Sequence, residues 1–188
     1  LIEKNNGSFD CGIFGLRVIF HVLSKFGRTD LAYRMITKTD FPSYGYQIAK
    51  GSTTIWEDFR LDSSAPNSRN HHFFCDYISW FMKNLVGINV NPYENNAAEV
   101  RLAPKFVDAL DSAEGDHETI AGKVSVSWVR EGEDILYTYD IPAGVKAEIL
   151  LEPGKKFDDG LTFKRISGKA TLRIIDDGKR DTKTVEFE

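Results

Sequence analysis

Residues Lys123–Val129 (KVSVSWV) and Ile135–Ile141 (ILYTYDI) alternate between apolar and polar side chains, and they decide the fold of the second half of the chain. This period of two is typical of strands that bury one face. Further runs of the same kind, divided by turns that contain glycine or proline, lie at 145–151, 161–166, 170–175 and 183–187. Regular short strands separated by turn signals predict an antiparallel β-sandwich, jelly-roll-like in outline.

The first half of the chain has the period of helices instead. Residues 11–26 are apolar on nearly every side, which is typical of a helix covered by neighbouring helices, and Gly27 marks its end. Thr29–Asp30 offers an N-cap for a second helix over 31–37. A third helix is predicted between Asn70 and Gly87 from positions spaced i, i+3 and i+4, namely Phe74, Tyr77, Ile78, Phe81 and Leu85.

These patterns predict an α+β chain in two parts, with the helices in residues 1–92 and the sandwich in 93–188. Residues 1–92 carry 10 basic and 8 acidic side chains, net +2, whereas residues 93–188 carry 14 and 20, net −6. The chain as a whole has a net charge of −4 and no apolar run near the roughly 20 residues that span a bilayer. We therefore expect no nucleic-acid partner and no membrane partner.

The ends and the cysteines add two expectations. The chain begins Leu1-Ile2-Glu3 rather than with Met, which suggests a piece of a longer protein and leaves its compartment, cytoplasmic or periplasmic, open. Cys11 and Cys75 have apolar neighbours, so both are expected to be buried free thiols.

A segment of about 30 residues between the second and third helices, Asp40–Asn70, has a different character. Loops of this length are uncommon in compact domains and are usually functional or disordered. Aromatic residues are dense in and after it, which favours order: Phe41, Tyr44, Tyr46, Trp56, Phe59, Phe73, Phe74, Tyr77, Trp80 and Phe81. Those with helical spacing are expected to be core residues, whereas Tyr44 and Trp56 lie between glycines and prolines and fit a ligand site equally well.

Three carboxylates lie within this aromatic segment: Glu57, Asp58 and Asp62. Aromatic rings beside carboxylates suit a sugar site, because the rings cover the C–H faces of a sugar while carboxylates bind hydroxyls and transfer protons. Glu57 is the foremost candidate for a general acid or base, because it directly follows a tryptophan and precedes a second carboxylate. A Trp-Glu pair alone fits an ordinary surface glutamate as well.

The histidine pair His71-His72 follows Asn70. Adjacent helical residues point about 100° apart and no further ligand stands at metal spacing, so no metal site is expected here. His71 fits a hydrogen bond to a ligand hydroxyl, and on spacing alone a capping or core role fits equally. Nothing in the sequence calls for a cofactor.

Several motifs, in order and at matching spacing, resemble the C-terminal portion of bacterial alpha-L-rhamnosidases. They are Gly27–Tyr33 (GRTDLAY), Phe41–Tyr46 (FPSYGY), Gly51–Glu57 (GSTTIWE), Ser68–His71 (SRNH), Trp80–Phe81 and Leu85–Ile88 (LVGI). The T-T-x-W-E element is the most specific of them. A looser resemblance continues through Leu102-Ala103-Pro104, Gly122–Val124 and Trp128.

This resemblance implies an (α/α)6 toroid followed by a β-sandwich, and hydrolysis of terminal alpha-L-rhamnosides with inversion. It assigns the general base to Glu57 and sugar contacts to His71, Asn70, Trp56 and Tyr44. The family's general acid precedes anything in this chain, so the remaining N-terminal part of the same enzyme is an expected partner and the chain alone is expected to be inactive. Apolar helix flanks should be exposed and favour self-association. Asp10 could replace the acid, although its position fits a helix cap.

The chain also departs from the family's pattern. Tyr44 stands where tryptophan is usual, and Cys75 or Asp76 replaces a small residue. The stretch after Glu57 is short and has Phe59 and Arg60-Leu61-Asp62 in place of a second tryptophan and an Asp-Gly pair. Two alternatives therefore stay open. One is a carbohydrate-binding or structural module without catalysis, and the other is a toroid glycosidase with a different sugar preference.

Overall fold

The computed structural model describes residues 4–60, 68–90 and 99–178. The chain forms two compact units: the first comprises Leu1–Phe81 with Val107–Ala109, and the second comprises Met82–Phe106 with Leu110–Glu188. Helices make up the first unit and strands dominate the second, so the predicted α+β class is confirmed. The predicted domain boundary at 92/93 lies outside the described residues and stays a prediction.

Helices occupy the first unit in the order of the sequence. They are α1 (Ile13–Lys25), α2 (Thr29–Thr37), α3 (Tyr44–Ala49) and α4 (Asp76–Trp80). A 3-10 turn, His72–Phe74, precedes α4, and a π-helical segment, Phe81–Val86, follows it. The first two predicted helices are therefore confirmed, while the third is a succession of three helix types that preserves the apolar spacing.

The core of the first unit forms where α1, α2 and α4 pack together. Phe20 and Trp80 are fully buried with ring centroids 6.3 Å apart, and the indole N–H of Trp80 donates a 2.8 Å hydrogen bond to Ser24 Oγ. The opposite side of α1 is exposed at Phe14, Val18 and Val22, with Phe14 82% exposed. The prediction that this half would expose apolar helix flanks is confirmed.

The prediction of a continuous loop over 40–70 is wrong at α3. Ser43 caps this helix, since its Oγ accepts a 2.9 Å hydrogen bond from the Tyr46 N–H. Gly45 allows a close approach to the end of α2, because a Cβ there would stand 2.4 Å from the Thr37 carbonyl oxygen. Six residues with an internal glycine gave too short a helical pattern to recognise in the sequence.

The cysteines are free but half-buried, which corrects the prediction of fully buried thiols. Cys11 lies just before α1 and Cys75 just before α4. Partial burial raises the pKa of both thiols above its usual value, so neither is an activated thiolate.

Strands form two sheets in the second unit. Their bounds are β1 (Ile88–Val90), β2 (Glu99–Leu102), β3 (Ser112–Thr119), β4 (Gly122–Glu131), β5 (Asp134–Ile141), β6 (Lys146–Leu150), β7 (Lys155–Phe157), β8 (Phe163–Ile166) and β9 (Gly168–Asp176). One sheet has the order β1-β2-β6-β8 and the other β3-β4-β5-β9-β7. All neighbours are antiparallel except β2 and β6, which pair in parallel.

One apolar core joins the two sheets as a sandwich. Trp128 and Tyr137 contribute from one sheet, Leu102 and Ile149 from the other, each at most 2% exposed. The five strands predicted between residues 123 and 175 are confirmed, and the one predicted at 183–187 lies outside the described residues. β3 was missed because this edge strand is polar and buries none of its side chains fully.

Among the described residues, no helix is long and apolar enough to cross a membrane.

Candidate active site

Two short segments of the first unit run side by side and position the predicted site residues. The Glu57 N–H donates to the Ser68 carbonyl oxygen (2.9 Å), and the His71 N–H donates to the Ile55 carbonyl oxygen (2.8 Å). The Thr54 hydroxyl donates to the Arg69 carbonyl oxygen. The T-T-x-W-E element and the S-R-N-H element are therefore hydrogen-bonded to each other, although they are eleven or more residues apart in the sequence.

This pairing brings Glu57 and His71 together. Glu57 Oε2 accepts a 2.9 Å hydrogen bond from the Ser68 N–H and lies 3.9 Å from His71 Nδ1. The Glu57 side chain is 42% exposed and that of His71 25%. Oε1 accepts no hydrogen bond from any residue that the structure describes, so one carboxylate oxygen is held while the other is available to a ligand. Such a carboxylate can accept a proton from a bound water or hydroxyl.

Gln47 fixes the backbone on both sides of Glu57. This side chain, on α3, is 2% exposed, and its Nε2 donates to the carbonyl oxygens of Trp56 (3.5 Å) and Asp58 (3.2 Å). A buried amide bridging these two carbonyls restrains the intervening glutamate. The sequence analysis missed Gln47, and its only signal was a polar residue in a short apolar stretch.

Trp56 lies next to Glu57 but one face of its ring is occupied. The guanidinium carbon of Arg69 stands 4.1 Å from the ring centroid, a stacking distance for a cation on an indole. Trp56 itself is half-buried and Arg69 is exposed. A sugar could use only the remaining surface of this tryptophan while Arg69 keeps this position.

Tyr44 has the contacts of a core residue. It is 3% exposed, its hydroxyl donates a 2.8 Å hydrogen bond to the Phe74 carbonyl oxygen, and its ring packs against Phe59 and Tyr77. Burial raises its pKa well above the usual range. Through this hydrogen bond, the hydroxyl fixes the turn that follows His71. The sugar contact predicted for Tyr44 stays a prediction, and the burial of the side chain does not favour it.

Asn70 is exposed beside His71, and its N–H donates to Ser68 Oγ (3.1 Å). Its amide side chain has no hydrogen bond to any described residue and is free to meet a ligand. The neighbouring carboxylate Asp58 is engaged with Arg60, which donates to Oδ2 at 2.6 Å and holds the pKa of Asp58 below its usual value. Asp62 lies outside the described residues.

Two further side chains differ from expectation. Asp10 makes no cap on α1, whose N-cap is Gly12, and instead accepts a 3.4 Å hydrogen bond from Asn5 Nδ2. His21, which carried no signal in the sequence, lies 3.0 Å from Asp76 Oδ2 and links α1 to α4. Within residues 4–60, 68–90 and 99–178, no three His, Cys, Asp or Glu side chains converge at metal-binding distance.

Known families match this arrangement along most of the chain. Residues 1–85 match the bacterial alpha-L-rhamnosidase 6 hairpin glycosidase domain, and residues 89–160 match the bacterial alpha-L-rhamnosidase C-terminal domain. The chain belongs to the bacterial alpha-L-rhamnosidase family. It corresponds to a C-terminal portion of that family's proteins, as the resemblance in the sequence predicted.

Individual relatives of this rhamnosidase-family chain are also much longer than the chain, which matches only a part of each. An alpha-L-rhamnosidase of Streptomyces avermitilis is 32% identical over 79% of the chain, which spans 15% of that relative. The alpha-L-rhamnosidase structure from Dictyoglumus thermophilum aligns with a TM-score of 0.82 at 25% identity, covering 93% of this chain and 22% of the other. The crystal structure of a Streptomyces avermitilis alpha-L-rhamnosidase complexed with L-rhamnose aligns with a TM-score of 0.73 at 28% identity, covering 93% and 18%.

Proposed function

We propose that this chain works as part of a longer glycoside hydrolase that removes terminal alpha-L-rhamnose with inversion, and that Glu57 is its general base. The observation that carries the proposal is the Glu57 carboxylate, whose Oε2 accepts a hydrogen bond from the Ser68 N–H beside His71 while Oε1 accepts none from a described residue. The chain spans between 15% and 21% of the length of the curated rhamnosidases that it matches. The remaining catalytic groups of such an enzyme would therefore come from outside these residues.

In this reaction Glu57 takes a proton from a water molecule, whose oxygen attacks the anomeric carbon as the glycosidic C–O bond breaks. A carboxylic acid on the opposite side of the sugar protonates the leaving oxygen. In inverting enzymes the two carboxyl groups are about 6.5–9.5 Å apart, which leaves room for the water. We place the general acid in the N-terminal part of the longer protein, since Asp10 is held by Asn5 and nothing described pairs it with Glu57.

The sugar itself would contact His71, Asn70 and the free surface of Trp56. His71 and Asn70 adjoin Glu57 through the paired segments, and rhamnose bound to a relative of similar fold supports this ligand. Residues 1–92 would then complete an (α/α)6 toroid, and residues 93–188 would form the sandwich that follows it in the sequence. The two alternatives are a binding module without catalysis and a glycosidase for another sugar.

The test compares the 188-residue chain with the same chain extended by the residues that precede it in its gene. We expect that only the extended protein, and not the 188-residue chain, releases p-nitrophenol from p-nitrophenyl alpha-L-rhamnoside. Proton NMR should show beta-L-rhamnose as the first product, because a single displacement inverts the anomeric carbon. First-formed alpha-L-rhamnose would contradict the role given to Glu57. Activity of the short chain would place the acid within it, and binding without turnover by the extended protein would favour the binding module.

Gln47 gives a prediction about positioning. In the extended protein, Gln47→Leu should lower kcat roughly 10-fold or more with a smaller change in KM, because the carbonyls flanking Glu57 lose their shared donor and the base is less well oriented. Steady-state kinetics beside a thermal unfolding curve separates this effect from lost stability. An unchanged kcat in a variant that unfolds at a lower temperature would assign Gln47 a purely structural role.

A further inference from the structure

Arg69 has an unusual setting at the candidate site. Its guanidinium stacks on the ring of Trp56, the residue directly before Glu57, with 4.1 Å between the guanidinium carbon and the ring centroid. The residue before it, Ser68, donates its N–H to the Glu57 carboxylate, and two residues later His71 approaches the same oxygen. The Arg69 backbone is held as well, because its carbonyl oxygen accepts the Thr54 hydroxyl.

No carboxylate of a described residue lies within ion-pair distance of Arg69. The other arginine of this segment, Arg60, is engaged with Asp58 through both Nε and Nη2. Stacking uses only the face of a guanidinium, and its N–H donors point outward in the plane, where they match the oxygens of a carboxylate or sulfate two at a time. Arg69 is therefore a pre-oriented cation whose donor edge is not used by any described residue.

We propose that Arg69 binds an anionic group of the glycan substrate, so that the preferred substrates are acidic alpha-L-rhamnosides. The proposal rests on the proposed function, since it places the anion within reach of the site around Glu57. Two sources carry the same oxyanion chemistry: a sulfate ester on the rhamnose, or the carboxylate of a uronic acid that carries the rhamnose. Trp56 holds the guanidinium plane, so the cation needs little ordering when the anion binds.

This assignment explains why a charged side chain covers an aromatic face beside a sugar site. A neutral sugar would gain more from the bare indole, whereas an acidic one gains a charge-assisted pair of hydrogen bonds. Arg69 also offsets the negative charge of Glu57, which would otherwise repel an anionic substrate from the site.

The test uses two matched pairs of substrates with the extended protein. One pair is alpha-L-rhamnosyl glucuronic acid and its methyl ester, and the other is p-nitrophenyl alpha-L-rhamnoside with and without a 3-sulfate. We expect kcat/KM to be higher for the charged member of one pair, and Arg69→Gln to lower that charged-to-neutral ratio about 10- to 100-fold. Arg69→Lys should keep part of the preference, because it retains the charge without the planar donor edge.

Lys50→Gln is the matched control, because Lys50 is a second exposed cation above an aromatic ring of the same unit, 5.6 Å from the Tyr46 centroid. It should leave both ratios unchanged. The pair that responds to Arg69→Gln identifies the source of the anion. If the charged-to-neutral ratio of kcat/KM is the same in the unaltered and Arg69→Gln proteins for both pairs, the inference is overturned. Hydrolysis of the neutral rhamnoside in that case would still uphold the proposed function. No hydrolysis of any of the four substrates would overturn both.

Discussion

Replacing Glu57 by Gln in the extended protein is expected to lower kcat for an alpha-L-rhamnoside about 10²- to 10⁴-fold, with little change in sugar affinity. The amide keeps the size of the side chain and can still accept a hydrogen bond from the Ser68 N–H, but it cannot take a proton from water. Turnover by stopped assay and rhamnose affinity by calorimetry measure the two effects separately.

Asp58→Asn is the matched control for this substitution, because it removes a carboxylate one residue along the same segment. Asp58 is engaged with Arg60, so its loss should alter stability more than kcat. Comparable losses of turnover in the two variants would show that local charge or structure, rather than proton transfer by Glu57, is what the reaction needs.

A second experiment, azide rescue, distinguishes a Glu57 that acts as general base from one that only binds the sugar. In Glu57→Gly, added azide should restore turnover, since it attacks the anomeric carbon without needing deprotonation. The C–N bond then forms as the glycosidic C–O bond breaks, the general acid gives its proton to the leaving oxygen, and the product is beta-L-rhamnosyl azide. An alpha-linked azide would identify Glu57 as the acid/base residue of a retaining mechanism. No rescue by azide would favour a binding role for Glu57.

The strength of the sequence prediction followed the length and regularity of each pattern. α1 was readable because thirteen residues carry a largely apolar helical pattern. β4 and β5 were readable because their side chains have a period of two, which sends Trp128 and Tyr137 into the core. β3 lies at a sheet edge and buries little, so its polar sequence carried no strand signal. α3 was hidden because its stability comes from the Ser43 cap and from packing at Gly45.

At the candidate site, the sequence predicted candidate residues but not the contacts that hold them in place. Glu57 and His71 came from motif and composition, and the structure brings them to 3.9 Å. Gln47 and Arg69 could not be predicted, because each acts through contacts across nine or more residues that no local pattern encodes. Tyr44 is buried although its sequence setting, beside a proline and a glycine, fitted a ligand site as well as the core, so its sugar contact stays a prediction.

Gly87→Ala is expected to lower the free energy of unfolding of the second unit by about 2–5 kcal/mol. Gly87 joins the π-helical segment to β1 with φ at +92°, a region that residues with a Cβ rarely adopt. A Cβ there would also stand 2.5 Å from the Pro104 nitrogen. The backbone has little freedom to move away, because the flanking Val86 and Ile88 are each 5% exposed.

Gly132→Ala separates the two causes of that loss. Gly132 has φ at +66° in the turn between β4 and β5, but its Cβ would meet no atom within 4 Å. This control should therefore lose only the conformational part, about 1–2 kcal/mol. Urea unfolding of the three proteins, followed by circular dichroism, compares the midpoints directly. Equal shifts for the two variants would mean that the Gly87–Pro104 contact relaxes without cost, whereas a larger shift for Gly87→Ala attributes the difference to that close approach.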